Sequence, residues 1–289
     1  MIKIDTVEFK NPILNSSGCW CIDKEQIEEL YESNLSGIVL KTCTLYRKDG
    51  FKPTNFYRID EENICFNCKG LPNNGYQYYK DIIIELNKKT DKKPIILSVA
   101  INNVEDLKQI LKDYDDSIKE NEKQLVEINL SCPNIKERIP GYHKRDILEL
   151  INILREIKTK KLLFGLKMPP IFELEKITKI SNLLNKNKDI IKFIVVSNSI
   201  PNCYILKDNE PVLSNIYGGL SGKINKYISL SNIRSFRERL DNEIEIIGCG
   251  GIETEMDILE YLQTGAIMVQ VGSLFYNSNT DRSNRKALV

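Results

Sequence analysis

Near the middle of the chain two carboxamides flank a thiol, in Asn129-Leu-Ser-Cys132-Pro-Asn134. A cysteine thiolate can take a proton from carbon. With an ordinary thiol pKa of ~8.5, it does so only when deprotonated or assisted, and only where a lid excludes water. Asn129 and Asn134 each offer donors and an acceptor, which suits the amide edge of a ring. By themselves the same residues describe a buried small hydrophobe and two turn formers.

Other chemistry-bearing residues change that balance. Lys41 and Lys167 each close an apolar run. A lysine there ordinarily snorkels, but glycine turns close two further apolar runs. Gly250-Gly251 and Gly272-Ser273 leave backbone N–H groups free to cradle a phosphate, and Gly219-x-x-Gly222 extends the set. Two lysines beside a phosphate cradle point to an anionic or electron-accepting ring. Flavin mononucleotide (FMN) fits, since its reduced ring carries negative charge. Four carboxamides, Asn67, Asn129, Asn134 and Asn198, match a flat heterocycle rich in amide groups, of which a pyrimidine is one.

These residues follow apolar runs that alternate with helical periods. Strands are expected at 12–16, 37–40, 94–100, 126–130, 163–167, 193–196, 245–247 and 266–271, after a short lead-in strand at 7–11. Helices are expected at 24–33, 75–87, 104–112, 146–158, 172–187, 229–240 and 254–264. Asp23 with Gln26, Asp146 and Thr254 supply N-caps. Such alternation predicts an α/β fold with parallel strands and right-handed crossovers, and eight strands predict a (β/α)8 TIM barrel. Its strand ends share one face, so the residues above converge. One domain spans 1–289, with long insertions over that face at about 43–74, 133–145 and 200–222. A polar tail occupies about 276–289. No eighth helix is visible, so the closing seam is expected to be undercovered and to need a partner chain.

Composition narrows the function. Forty-one basic residues nearly balance 40 acidic ones, which gives no net field for nucleic acid. No apolar run is long enough for a membrane span. The first residues carry neither a signal peptide nor a transit segment, so a cytoplasmic protein is expected. Eight cysteines are scattered through the chain. The Cys65-x-x-Cys68 pair alone does not make a zinc site, and no metal is expected.

At this point the chain resembles the class 1A dihydroorotate dehydrogenases. The likeness runs from about residue 11 to 274. It rests on Asn11-Pro-Ile-Leu-Asn-Ser-Ser-Gly18, Lys41-Thr-Cys-Thr44, Asn67-Cys-Lys-Gly-Leu-Pro-Asn73, Asn129-Leu-Ser-Cys-Pro-Asn134, Gly165-Leu-Lys-Met-Pro-Pro170, Asn198-Ser-Ile200, Gly248-Cys-Gly-Gly-Ile-Glu253 and Val271-Gly-Ser273. The resemblance implies FMN-dependent oxidation of dihydroorotate to orotate in pyrimidine biosynthesis, with Cys132 as general base. It implies substrate contacts from Asn67, Gly70, Leu71, Asn129, Asn134, Asn198 and Ser199. Flavin contacts are implied for Ser17, Lys41, Thr42, Asn129 and Lys167, and phosphate contacts for Gly222, Gly250, Gly251, Gly272 and Ser273. It further implies a cytoplasmic homodimer that passes electrons to fumarate.

The chain departs from that pattern in the parts that gate the site. The loop after Asn134 reads Ile-Lys-Glu-Arg-Ile-Pro-Gly-Tyr-His-Lys-Arg145 and lacks the family's usual run. The Pro-Arg pair expected near Pro53 is replaced by Thr54-Asn55-Phe56, leaving Arg47 or Arg58 as substitutes. Lys69 stands where the family has Met. Pro201 and Cys203 replace glycines, Tyr227 replaces a proline, and the C-terminus is short. Two alternatives therefore stay open: a related FMN oxidoreductase acting on another dihydropyrimidine-like ring, and a catalytically degraded flavin-binding barrel.

Overall fold

The computed structural model describes residues 1–131 and 139–276. Eight strands form one parallel sheet: β1 (Ile13–Asn15), β2 (Ile38–Val39), β3 (Ile95–Ala100), β4 (Gln124–Asn129), β5 (Leu162–Lys167), β6 (Ile191–Val196), β7 (Glu245–Cys249) and β8 (Met268–Val271). Each pairs with its sequence neighbour except across β1 and β2, while β8 returns to β1 with Val269 opposite Ile13. A parallel bridge from Leu14 to Gly37 closes β1 onto β2. The sheet is therefore a barrel, as the alternation predicts.

Side-chain parity divides each strand. Leu125 of β4, Leu163 of β5, Phe193 of β6, Ile247 of β7 and Met268 of β8 pack together inside the barrel. Their neighbours Val126, Phe164, Ile194, Ile246 and Val269 face the helices. The N-terminal hairpin, Ile2–Ile4 against Val7–Phe9, plugs the barrel's amino end with Ile4 and Phe9. Gly165 is fixed by this packing. A Cβ there would meet the Phe193 ring at 2.2 Å.

Seven helices among the described residues cover the outside: α1 (Lys24–Glu32), α2 (Tyr76–Leu86), α3 (Val104–Ser117), α4 (Lys144–Glu156), α5 (Leu174–Asn185), α6 (Asn225–Arg237) and α7 (Glu255–Thr264). Asp23 caps α1 by accepting from Gln26 N at 2.9 Å. The Gln26 side chain takes the Ile22 N–H and not the cap's own. Thr254 and Asp257 form a full capping box on α7. Asp146 is not a cap. α4 begins at Lys144 after His143, and Asp146 sits in the first turn, where a negative charge suits the helix dipole. α6 begins four residues before the expected 229.

The larger correction concerns the insertions. Segments 43–74 and 200–222 read as irregular, yet they build one antiparallel sheet in the order Ile200–Tyr204, Tyr217–Gly222, Ile64–Asn67, Phe56–Ile59. Tyr217–Gly222 pairs with Ile64–Asn67, putting Gly219 opposite Asn67 and Gly222 opposite Ile64. Ile64, Phe66, Cys68 and Leu213 form its small core. These strands are short and their partners are far apart in sequence, so no local period reveals them.

After β8 the described chain ends in a 3-10 turn, Ser273–Tyr276. The expected polar tail lies outside the described residues from 277 on. Among the described residues no helix is long and apolar enough to cross a membrane.

Candidate active site

The carboxyl ends of the strands and the two-insertion sheet enclose a cleft with an empty volume of ≈ 740 Å³, including space open to solvent. Of the residues singled out from sequence, Asn67, Lys167, Asn198, Ser199, Gly222, Gly250, Gly251, Gly272 and Ser273 line it. Ser17, Lys41 and Thr42 are buried beside it and do not line it. Asn129 stands behind Asn198, whose side-chain amide donates to its carbonyl at 3.4 Å. Gly70 and Leu71 follow the lining residue Lys69 but do not line the cleft. Cys132 and Asn134 lie outside the described residues, as does the first part of the expected lid. The later part is pinned: Gly141 N donates to Leu130 O at 3.1 Å, and Gly141 packs on Pro169.

One end of the cleft is a cradle of backbone. Gly222, Gly250 and Gly251 have φ of 102, 126 and 62°, in the region that glycine tolerates best. A Cβ on Gly250 would lie 2.7 Å from Ser229 Oγ, and one on Gly251 would lie 2.8 Å from Gly222 O. The turn after β7 therefore packs on the start of α6 without side chains between them. Asn225, the first residue of α6, donates to Asn198 O at 3.1 Å. Its Oδ1 is buried without a protein donor. A main-chain cradle with a helix start and a bare acceptor fits a phosphate ester carrying hydroxyl groups. These residues fit the phosphate end of a nucleotide cofactor.

The middle of the cleft is polar and tightly tied. Asn198 N donates to Met168 O, and Asn198 Oδ1 accepts from Ser199 N at 2.7 Å. Asn67 donates to Gly219 O at 3.3 Å. Gly219 leaves room for Ser199, since a Cβ would lie 2.4 Å from its hydroxyl. The turn carrying Gly70 and Leu71 is left-handed at both residues. Asn73 holds it, donating to Leu71 O and accepting from Gly75 N.

The floor holds Lys167, 3% exposed. Its ammonium donates to Gln270 Oε1 at 2.8 Å and approaches the Ser16 and Ser17 hydroxyls at 3.4 Å. Burial disfavours its charge, but Glu127 and the thiols of Cys249, Cys19 and Cys21 together outweigh that and hold Lys167 above the usual lysine range. On the opposite wall burial pushes Lys69 below that range, and its ammonium lies 5.2 Å from the Phe56 ring centre. Burial also raises the Cys65 and Cys249 thiols, which line the cleft as neutral groups.

Arg47 and Arg58 do not line the cleft; they pair with Asp49 and Asp60. Residues that sequence reading missed include Asn225, Glu127 and Gln270. Glu127 had a signal: it interrupts an apolar strand at the parity of Leu125 and Asn129. Asn225 had none, because its helix was expected to start later.

A closed parallel barrel with a glycine cradle, a buried lysine and carboxamides at its carboxyl face is the arrangement of a (β/α)8 enzyme. The comparisons give the family. The dihydroorotate dehydrogenase family model matches residues 1–285. A putative dihydroorotate dehydrogenase A (fumarate) of Streptococcus equi subsp. equi is 34% identical over 278 residues, covering 95% of this chain and 86% of that protein. A probable dihydroorotate dehydrogenase A (fumarate) of Streptococcus pneumoniae serotype 4 is 33% identical over 290 residues, covering 98% and 89%. The crystal structure of a DHODH from Eimeria tenella in complex with ferulenol superposes with a TM-score of 0.78 at 17% identity. It covers 96% of this chain and 80% of that one, and shows the shared fold. The chain belongs to the dihydroorotate dehydrogenase family, the flavin-dependent oxidoreductases that oxidise dihydroorotate in pyrimidine biosynthesis.

Proposed function

We propose that this chain oxidises (S)-dihydroorotate to orotate with FMN, and that fumarate is the electron acceptor. What carries the reading is the meeting of Lys167, the Gly250-Gly251 turn, Asn198 and Ser199 in one cleft. The fumarate assignment is supported by the names of the Streptococcus relatives.

Bound in the cleft, FMN supplies the acceptor for the electron pair and hydrogen leaving substrate C6. Gly222, Gly250, Gly251, Gly272 and Ser273 would hold its phosphate. Lys167 would lie at the electron-rich edge of the ring, with Ser17, Lys41, Thr42 and Asn129 about it. Asn67, Asn134, Asn198 and Ser199 would hold the substrate's amides and carboxylate, with the backbone at Gly70 and Leu71. Cys132 Sγ would remove the C5 proton, so that the ring loses one proton and one hydride equivalent. Its site in sequence, three residues beyond Asn129 at the end of β4, supports that role.

A cytoplasmic homodimer completes the proposal. Tyr204, Leu206, Ile216 and Tyr217, exposed on the two-insertion sheet and on the segment between its first two strands, support self-association. Light scattering at micromolar concentration is expected to give twice the chain mass, and a stable monomer removes this element.

The reading is tested by the visible spectrum of the purified protein and by adding dihydroorotate without oxygen. A yellow protein that bleaches supports cofactor and substrate together. One that bleaches with dihydrouracil but not with dihydroorotate moves the assignment to another dihydropyrimidine, a reading that Lys69 in the cleft wall favours. One that bleaches with neither supports a degraded barrel.

A further inference from the structure

Beneath the cleft lies an acidic residue that the proposed chemistry does not use. Glu127 has no exposed surface, and neither do Ser98 or Gln270. Parity explains the grouping: Ser98 on β3, Glu127 on β4, Lys167 on β5 and Gln270 on β8 all point inward, one layer above the apolar filling. A carboxylate without partners there would be strongly disfavoured by its lost hydration.

Its partners form a directed chain. Ser98 Oγ donates to Glu127 Oε1 at 2.9 Å. Since Ser98 has a single hydroxyl proton, Thr42 Oγ1, 2.9 Å away, must be the donor to Ser98. Gln270 Nε2 donates to Glu127 Oε2 at 2.7 Å, while Gln270 Oε1 accepts from Lys167 at 2.8 Å. Only one orientation of this carboxamide satisfies both neighbours. The carboxylate itself lies 3.9 Å from the Lys167 ammonium. Lys167 is thus held from below by a carboxylate and a carboxamide, and makes longer hydrogen bonds to Ser16, which lines the cleft, and to Ser17 beside it.

We propose that Glu127 is a positioning residue. Acting directly and through Gln270, it fixes the Lys167 ammonium in the cleft floor and keeps it charged, and so sets how readily the bound ring accepts an electron pair. This rests on the FMN reading above. A fixed cation beside the ring favours its electron-rich reduced form. Among the described residues, the other titratable groups facing Lys167 are the thiols of Cys249 on β7 and of Cys19 and Cys21 after β1, and Lys41 faces Cys21. None of these supplies the counter-carboxylate.

The test is Glu127→Gln, which keeps shape and most hydrogen bonding but removes the charge. In the FMN-loaded protein, the midpoint potential is measured from pH 6 to 9. Relative to the parent, the variant's potential is expected to fall as pH rises, as Lys167 loses its proton. Made in a Lys167→Met background, the same change is expected to leave the potential where Lys167→Met alone puts it. In flavin-free protein labelled with 13C at lysine Cε, the Lys167 signal is expected to titrate within that range in the variant and not in the parent. Potentials that run parallel at every pH, or a Lys167 signal that titrates alike in both, overturn the inference. If Glu127→Gln does not fold, Glu127→Met, an apolar side chain of similar length, removes the charge by another route and is judged by the same readouts. A parent that takes up no FMN overturns the cofactor reading instead, and the flavin-free titration then decides the Glu127–Lys167 link alone.

Discussion

Asn198 and Asn129 meet across the carboxyl mouth of the barrel although their strands are not neighbours. The amide of Asn198 donates to the carbonyl of Asn129 at 3.4 Å. Each carbonyl is also held by its own loop, Asn198 Oδ1 by Ser199 N and Asn129 Oδ1 by Ser131 N. Both carboxamides are therefore oriented before any ligand arrives. The long contact between them is one that a ring amide can replace.

Removing one of them should weaken substrate binding and spare the fold. Asn198→Ala is expected to raise the dissociation constant of orotate by about 10-fold or more. A lost hydrogen bond that leaves a buried partner unpaired costs ~1–3 kcal/mol. Titration of the flavin spectrum with orotate measures this. Unchanged affinity would remove Asn198 from the substrate site.

Cys132→Ala should retain FMN and slow its reduction by dihydroorotate. Loss of a positioned base is worth ~10²–10⁴-fold. Anaerobic stopped-flow measurement of flavin bleaching gives the rate directly. A variant that bleaches at the parent rate assigns the base elsewhere.

Gly250→Ala should lose cofactor. The residue sits at φ 126°, and its Cβ would press on Ser229 Oγ at 2.7 Å and Asn225 Nδ2 at 3.0 Å. A side chain there both strains the turn, by ~1–3 kcal/mol, and displaces the groups that form the cradle. FMN affinity in fluorescence titration is expected to drop by at least about tenfold. Full affinity would mean that the phosphate binds elsewhere.

Asp257 gives a prediction in pH. Burial opposes its ionisation, but Lys226 and the N–H groups of Glu253 and Thr254 outweigh burial and hold the carboxyl below its usual range. A group whose pKa is depressed by folding stabilises above its unfolded pKa, about 3.9, and loses that contribution as pH falls through the folded value. Asp257→Asn is therefore expected to lower stability at pH 7 by about 1–2 kcal/mol, the scale of a lost cap. The gap from the parent should close as pH falls below about 4. Denaturant melts at both pH values check the sign, and a gap that persists in acid would assign the loss to packing.

The sequence by itself determined the barrel and many of the residues that stand at its mouth. Parity in runs such as Leu125 to Leu130 is a local property, and so are the turns after β7 and β8. Once eight such runs alternate with helices, chain direction places Lys167, Asn198 and Gly250 on one face. Tertiary structure decided what depends on distant partners. Tyr217–Gly222 became a strand because Ile64–Asn67 was there to pair with it. Arg58 was drawn to Asp60 and Asn63 and not to the cleft. Glu127 reads in sequence as one acidic residue among 40 Asp and Glu. Only barrel closure brings Gln270, 143 residues away in sequence, and Lys167 against it. A charge denied water must find its compensation within reach of its own atoms.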